Sequence, residues 1–563
     1  MWKLREINLT NNIKEIDEHP LIKRLLSQRN VGDLNNFFSK NPKNSIDPFQ
    51  LHGVKDACLI FQEIIEKNGE VTIIGDYDAD GVVSTTMAIE LCKNFGLEYN
   101  FFIPSRLKHG YGLNPKTIEH FKKNYNPTDL LMVLDCGGNN FDEIQELRDF
   151  GFNKIIVIDH HIMGEKISKN ADTLISWHLS DDEYKEEMCT TGEIFQFVRG
   201  LKKMGMPIDP LEFITYAAIG TIADVSPVVG TNRVIVDKGL TSYALDHVLS
   251  SGLNSLFNKV GVNREHIVPD DIGFKIAPRI NAVGRLDDPS IVVSLLTEHE
   301  PVLANKITDH VCKYNDDRKD VQKKIEDKID YYIENGEYEH GILIIDKEWH
   351  IGVVGIVASR VVEKYKKPTV VVGSHNGIYK GSGRTVEGVN LKEILDSCSQ
   401  IFSNYGGHAG AVGVTLDDNY LDDANKIFNQ ACKNYYETHE ISGGAIIYYD
   451  ANLKLETVNP DTAQLLIDKM SPYCKEHNPE PIFKLTDVNI CNVEHKSNDK
   501  WSLIKFNVSK GDFLIDYPFI CWNSDWDSNI EGCRADIYFK FPQSWGHGKY
   551  DSFQLKLEHV NIL

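Results

Sequence analysis

Three apolar, β-prone runs in the first third of the chain each stop at acids or histidines. VTIIG runs into Asp76, Asp78 and Asp80 of GDYDADG (75–81), LLMVL into Asp135, and KIIVI into Asp159, His160 and His161. Helix-like segments separate them, VVSTTMAIELCKNFG after the first and FDEIQELRDFG after the second. Such alternation predicts a parallel sheet with crossover helices. The carboxyl ends of parallel strands face one crevice, so acids at those ends converge. Converging carboxylates repel unless they are protonated or hold cations, and an oxygen-rich set with an added imidazole suits manganese or magnesium. The pattern predicts a two-metal hydrolase site.

The acids of GDYDADG also match the opening of an EF-hand calcium loop, with acids at alternate positions and glycine sixth. That loop needs a bidentate Glu at its last position, where this chain has Met87, and the run before it is β-like. A tight turn feeding a helix, with Ser84 or Thr85 near its start, fits better. A single aspartate at a strand end more often caps a helix than binds metal, and two adjacent histidines alone are usually a surface feature. Their joint occurrence on successive strands outweighs both readings. Asp224, in TIADVSP, has less local support, because the segment reads equally as a helix end before Pro227.

At 563 residues the chain exceeds a single core and is expected to hold three or four domains, taking roughly 150 residues for each. Residues 1–50 form a polar, helix-flavoured segment, and 51–300 carry the parallel sheet. Leu303, Ile307, Val311, Tyr314, Val321, Ile325 and Ile329 recur at helical steps, predicting one long amphipathic helix over 301–336 that spaces two lobes. A second α/β unit follows over 337–425, and the aromatic, alternating section 440–563 predicts a small antiparallel β-barrel. Eleven scattered cysteines with no CxxC pair indicate reduced thiols and a cytoplasmic protein. The amino terminus has no apolar signal segment, and no stretch is apolar enough to span a membrane. A net charge of −22 argues against a generally sticky nucleic-acid binder but leaves room for a local basic groove.

The set Asp78, Asp80, Asp135, Asp159-His160-His161 and Asp224 resembles the motifs of the DHH phosphoesterase superfamily. PSRLKHGYGLN (104–114), APRINAVGRLDDP (278–289 with its leading Ala277), NDDRK (315–319), WHIGVVGIVASR (349–360), KGSGRT (380–385) and YGGHAGAVG (405–413) are similar to the RecJ exonucleases of that superfamily. The resemblance covers the chain from about residue 20 to its end and implies an α/β architecture: a parallel-sheet DHH domain, a linking helix, a DHH-associated domain and a C-terminal OB-fold. It implies hydrolysis of single-stranded DNA from the 5′ end with two divalent ions, Mn2+ first and Mg2+ second. The implied metal ligands are Asp78, Asp80, Asp135, His160 and Asp224, with Asp135 and Asp224 bridging. Asp76 and Asp159 would orient ligands, and His161 would contact the scissile phosphate. Arg106, Arg279, Ser382, Gly383 and Arg384 would hold the 5′-phosphate, since a guanidinium pairs bidentately with phosphate and glycine admits an anion close to the backbone. The GSGR stretch reads as an anion-binding loop. Tyr111 would stack on a base, and His408 would bind phosphate or assist proton transfer. Single-stranded DNA is the implied partner, with a single-strand-binding protein and a helicase as further ones; the chain is expected to be a monomer.

Some positions depart from the family pattern. Ile74 stands where many DHH enzymes have a ligand histidine, Ile175-Ser176-Trp177 where an asparagine–proline pair is common, and Thr385 where serine is usual. Cys474, Lys475 and Glu476 replace a glycine-bearing turn. Two other readings are a DHH phosphodiesterase on short RNA or a cyclic dinucleotide, and a non-catalytic replication scaffold. The phosphodiesterases are usually shorter and lack the long helix and barrel; a scaffold would have lost metal acids, all of which are present here. With so acidic a chain, DNA must bind in a narrow basic channel between lobes, and affinity should fall steeply across a salt titration. A salt-insensitive affinity would contradict such a channel.

Overall fold

Five short strands form one all-parallel sheet in the order Tyr99–Phe102, Val71–Ile74, Leu130–Leu134, Lys154–Ile158, Thr173–Ile175. Val71–Ile74 and Leu130–Leu134 are buried at every position. Ile73, Met132 and Ile158 pack into one core, while Ile74, Val133 and Val157 face another on the opposite side. Burial on both faces is why these strands read as unbroken apolar runs. From Val71–Ile74 the chain steps to Tyr99–Phe102 on one side and then returns to Leu130–Leu134 on the other. Strand order therefore reverses between the Val71 and Leu130 strands, and that is where a parallel sheet opens a crevice. GDYDADG and Asp135 stand on its two lips. The computed structural model describes the whole chain except residues 1, 8–12, 14–15, 30, 32–33, 42–44, 106–108, 111, 165, 245–249, 265, 337, 440–446, 476, 499–500, 523–527 and 544–552.

Helix Ala79–Asn94 leaves the crevice buried nearly all round, covered by helices Thr190–Lys203 and Ile214–Ala223. The long helix spans Pro301–Asn335, about 50 Å at 1.5 Å per residue. Its inward face begins at Ala304, Thr308, Val311, Cys312 and Asn315 rather than at Leu303, which is 45% exposed. Small side chains at this contact let it lie close to helices Ser251–Lys259 and Ala277–Leu286 of the first lobe. Ile325 and Ile329 then enter the core of the second lobe beside Ile342, Trp349 and Val357.

The second lobe is a five-stranded sheet ordered Phe402–His408, Ala411–Leu416, Ile378–Arg384, Thr369–His375, Ile342–Ile345. Its one parallel pairing joins Ile342–Ile345 to Thr369–His375. Helix Ala424–Thr438 packs Phe428 and Cys432 into a core with Leu343, Val370 and Val372 on the other face of this sheet, so this lobe runs on to Thr438. Farther on, Phe483–Asn498, Trp501–Lys510, Phe513–Trp522, Leu555–Ile562 and Arg534–Lys540 pair in that order, and the last pairs back onto the first. The closed five-stranded order is an OB-fold barrel. It is not antiparallel throughout: Phe519 and Ile520 pair in parallel with Leu555 and Lys556.

Residues 1–50 do not stand apart. Trp2–Leu4 pairs with Ile447–Tyr449, and Ile22, Leu25, Leu26 and Phe37 belong to the barrel's core. The N-terminal segment and the stretch before the barrel are both fastened to the first lobe by Arg233, whose side chain is 1% exposed. Its guanidinium donates to the carbonyls of Phe37 at 3.0 Å, Pro472 at 2.8 Å, Met470 at 3.1 Å and Ser471 at 2.8 Å, and lies 4.0 Å from the Phe37 ring centre. A buried carbonyl left without a donor costs about 1–3 kcal/mol. Arg233→Ala should therefore uncouple the barrel module, giving an early urea transition ahead of the first lobe's. A single transition at the unmutated midpoint would count against this fastening role.

Candidate metal centre and interlobe cleft

Asp78 caps helix Ala79–Asn94: its Oδ1 accepts from the Asp80 and Gly81 amides at 3.0 and 3.2 Å. The helix thus begins at Ala79, ahead of the start expected near Ser84 or Thr85. Those two are buried within it, and the Thr85 hydroxyl donates to the Gly81 carbonyl at 2.8 Å. A Cβ on Gly81 would lie 2.6 Å from the Asp76 carbonyl oxygen, so the turn requires glycine. Asp80 faces the start of another helix. Its Oδ2 accepts from the Thr190 amide at 2.7 Å and its Oδ1 from the Thr191 amide at 3.1 Å.

Asp135 leaves its strand at φ +62°, a left-handed conformation that few side chains other than asparagine and aspartate adopt. Its amide donates to the Ile158 carbonyl at 2.9 Å and its Oδ1 accepts from the Thr190 hydroxyl at 2.9 Å. His160 Nε2 lies 3.4 Å from the same Oδ1, and His160 Nδ1 4.0 Å from Asp224 Oδ2. Asp224 ends helix Ile214–Ala223 and accepts from the Ser226 hydroxyl at 2.8 Å, so it is both a helix end and a member of the cluster. Asp159 turns its Oδ2 to the Gly138 amide at 2.7 Å, while its Oδ1 accepts from His161 Nδ1 at 2.8 Å.

Among the described residues, two groups of ligand atoms gather within 4.8 Å: Asp76, Asp78 and Asp135, and Asp135, His160 and His161. Asp135 is common to both. Burial, then repulsion from Asp80 and Asp78, drives the Asp135 carboxyl well above the usual range. Burial and Asp78 push Asp76 up to about 7, and burial and Asp80 push Asp224 up to about 6. Among the described residues, Asp76 Oδ1 is buried with no hydrogen-bond partner. Acids too crowded to ionise together, with an orphaned oxygen and an imidazole among them, fit divalent cations of the manganese and magnesium type. The Cys136 and Cys189 thiols beside them are pushed far up by burial, so neither offers a thiolate.

Ser382 and Arg384 line an 830 Å³ cleft between the lobes with Gly110, Ile351, Gly406 and Gly407. Arg384 Nη1 donates to Ser382 Oγ at 3.0 Å and to the Gly383 carbonyl at 2.8 Å. The GSGR stretch is not a loop. It ends strand Ile378–Arg384, paired on both sides, so the Gly381 and Gly383 backbones serve the sheet. Gly383 is needed for packing, because a Cβ there would stand 2.6 Å from Val412 Cγ2. Arg279 does not line this cleft; its Nη1 donates to the Lys275 carbonyl at 2.6 Å. His408 is exposed at the end of its strand, with Nδ1 accepting from the Gly410 amide at 3.2 Å. Arg106 and Tyr111 lie outside the described residues.

Sequence reasoning missed Thr190, Thr191 and Asn281. Asn281 Oδ1 accepts from the Ala79 amide at 2.8 Å, bracing the turn that carries Asp78. A threonine pair opening a helix is an ordinary capping signal, and nothing local reveals that its amides meet Asp80. The unusual Trp177 has a partner too: its amide donates to buried Glu193 Oε1 at 2.8 Å.

Acids, an imidazole and a braced turn at the switch point of a parallel sheet, facing a second lobe across a cleft, define a metal-dependent α/β hydrolase. Residues 70–221 match the DHH family N-terminal domain and residues 339–434 the DHHA1 domain. The chain belongs to the DHH family. It is 29% identical to the single-stranded-DNA-specific exonuclease RecJ of Haemophilus influenzae, over 85% of each chain. The structure of Thermus thermophilus RecJ in complex with Mn2+ superposes with a TM-score of 0.79 at 23% identity, covering 100% of this chain and 79% of that one. A manganese-bound exonuclease RecJ matches at 29% identity and a TM-score of 0.60, over 70% of this chain and 97% of the other.

The His161 imidazole is raised to about 9 by its hydrogen bond to Asp159, against the opposing effect of burial. A raised folded-state value means the pair's contribution to stability is complete below about 6.5, the ordinary imidazole value, and is lost as pH rises through about 9. Asp159→Asn should return the His161 titration toward about 6.5, read from imidazole proton shifts in the metal-free protein. A midpoint still near 9 would show that another group supports the charge.

Proposed function

We propose that this chain is a metal-dependent exonuclease that degrades single-stranded DNA from its 5′ end to 5′-mononucleotides, serving recombination and repair. The observation that carries the reading is the pair of ligand groups sharing Asp135 at the sheet's switch point. Asp76, Asp78 and Asp135 would hold one divalent ion; Asp135, Asp80, His160 and Asp224 would hold another. Each Asp80 oxygen keeps a lone pair after its amide bond. Bound Mn2+ or Mg2+ would neutralise phosphoryl charge and ease deprotonation of water.

The chain's own groups do the rest. Asp159 holds the His161 ring by Nδ1, leaving Nε2 and its positive charge for the scissile phosphate. Ser382 and Arg384, across the cleft, would take the terminal phosphate and so select the end. Arg279 and Arg106 would add charge along the path, Tyr111 a stacking face, and His408 a phosphate contact. Phe274 and Trp522, 77% and 60% exposed, face one cleft between first lobe and barrel and offer surfaces for bases to stack on. By family resemblance alone we read the chain as a cytoplasmic monomer, fed by a helicase and recruited by a single-strand-binding protein. No described helix is long and apolar enough to cross a membrane.

Release of mononucleotides from 5′-phosphorylated single strands should require Mn2+ or Mg2+. Asp135→Ala should slow it by about three orders of magnitude, a loss of about 4 kcal/mol in transition-state stabilisation. Arg384→Ala should raise KM for 5′-phosphorylated DNA while leaving 5′-hydroxyl DNA unchanged. Failure of the unmutated protein to degrade any single strand would sink the reading, and preference for short RNA would point to the phosphodiesterase class instead.

A further inference from the structure

The first turn of helix Thr190–Lys203 has no side-chain cap on its amides: Cys189, at the capping position, meets the Thr191 hydroxyl with its sulfur at 3.0 Å instead. The first amides of a helix need acceptors from elsewhere. Here the acceptor is Asp80, which lies 110 residues earlier in the chain and takes the Thr190 and Thr191 amides, one on each oxygen. Negative charge at a helix start is favourable, so the helix and the carboxylate steady one another. Gly220 on the adjoining helix leaves the space for this meeting, since a Cβ there would come 2.6 Å from Asp80 Oδ1 and 2.0 Å from Thr191 Oγ1.

Thr190 does one thing more. Three buried threonines on the neighbouring helices spend their hydroxyls on their own helix: Thr85 on the Gly81 carbonyl, Thr86 on that of Val82, Thr221 on that of Ala217. This is the usual behaviour of threonine inside a helix. Thr190, wholly buried at the first helical position, instead donates to Asp135 Oδ1 at 2.9 Å. That oxygen is also the one nearest His160 Nε2. One residue thus grips Asp80 by its amide and Asp135 by its hydroxyl, two carboxylates delivered by different strands of the sheet.

We propose that Thr190 is a positioning residue that sets how Asp80 and Asp135 present their free lone pairs to the divalent cations. The inference rests on the metal reading given under the proposed function and adds to it a residue that touches neither metal nor substrate. Groups that hold a metal's ligands in this way are commonly worth about 10- to 100-fold in metal affinity. Valine has nearly the shape of threonine and keeps the amide, so Thr190→Val removes the hydroxyl contact alone.

The test is Mn2+ binding to the full chain without DNA, followed by the loss of the free-ion EPR signal. Thr190→Val should weaken binding about 10- to 100-fold, with the Mn2+ midpoint for nuclease activity shifting by the same factor. Thr190→Ser, which keeps the hydroxyl, should bind within twofold of the unmutated protein. Thr221→Val removes a hydroxyl that donates to the Ala217 carbonyl of its own helix and accepts from the Cys189 thiol, and should lower thermal stability without moving Mn2+ affinity. Equal affinities for the unmutated protein and Thr190→Val would overturn the proposal, as would weak binding by a folded Thr190→Ser. If the unmutated chain bound no Mn2+, the metal reading itself would fall; normal binding with an indifferent Thr190 would leave that reading standing.

Discussion

Asp76, Asp78, Asp80 and Asp135 are held in one buried crevice where their charges repel, and the first lobe is organised around holding them there. Taking a carboxylate out of water is costly unless donors or cations replace the lost hydration. The fold supplies donors from the starts of two helices. Asp78 sits on the first amides of Ala79–Asn94, and Asp80 on those of Thr190–Lys203. Asp135 receives the Thr190 hydroxyl, and Asp76 keeps a buried oxygen with no partner among the described residues. The remaining charge is what cations would neutralise, so stability and metal affinity depend on the same contacts.

The crevice by itself has no direction. In the proposed function, direction comes from a second lobe across the cleft, and the two lobes are joined by a helix whose two halves are packed differently. Ala304, Thr308 and Val311 lie against the first lobe; Ile325 and Ile329 belong to the second. One rigid element anchored in both cores sets the width of the cleft that Ser382 and Arg384 line. The barrel is fixed independently. Arg233 holds the carbonyls of residues 470–472 and of Phe37 in one guanidinium fork, so the N-terminal segment and the stretch before the barrel share one buried fastening on the first lobe.

Much of the metal centre was legible because parallel strands obey a simple rule: what stands at their carboxyl ends meets. Asp78, Asp135 and His160 could be placed together from three apolar runs and the residues that stop them. Asp224 could not, because its helix end looks like any other until His160 is seen 4.0 Å away. The resemblance implies an orienting role for Asp76, and its oxygen lies among the ligand atoms of Asp78 and Asp135. The GSGR stretch misled for a clear reason. Two glycines beside a basic residue signal an anion loop, but in this chain they are strand positions where Val412 and the Val371 carbonyl leave no room for a Cβ. Leu303 misled similarly, since a helical period marks which residues share a face but not which neighbour that face meets.

By itself, the sequence determined the class of sheet, the strand ends that carry acids, the long helix and the barrel. These follow from local propensity and from periodicities of two and of about 3.6 residues, which neighbours along the chain decide between them. Tertiary structure decided which oxygens stay free. Asp80 is bound by amides 110 residues away, the Asp135 carboxylate takes the Thr190 hydroxyl, and Ile22, Leu25, Leu26 and Phe37 merge with a barrel that begins beyond residue 480. Those outcomes depend on where rigid elements come to rest against one another, and no short stretch of chain encodes a distance between its distant parts.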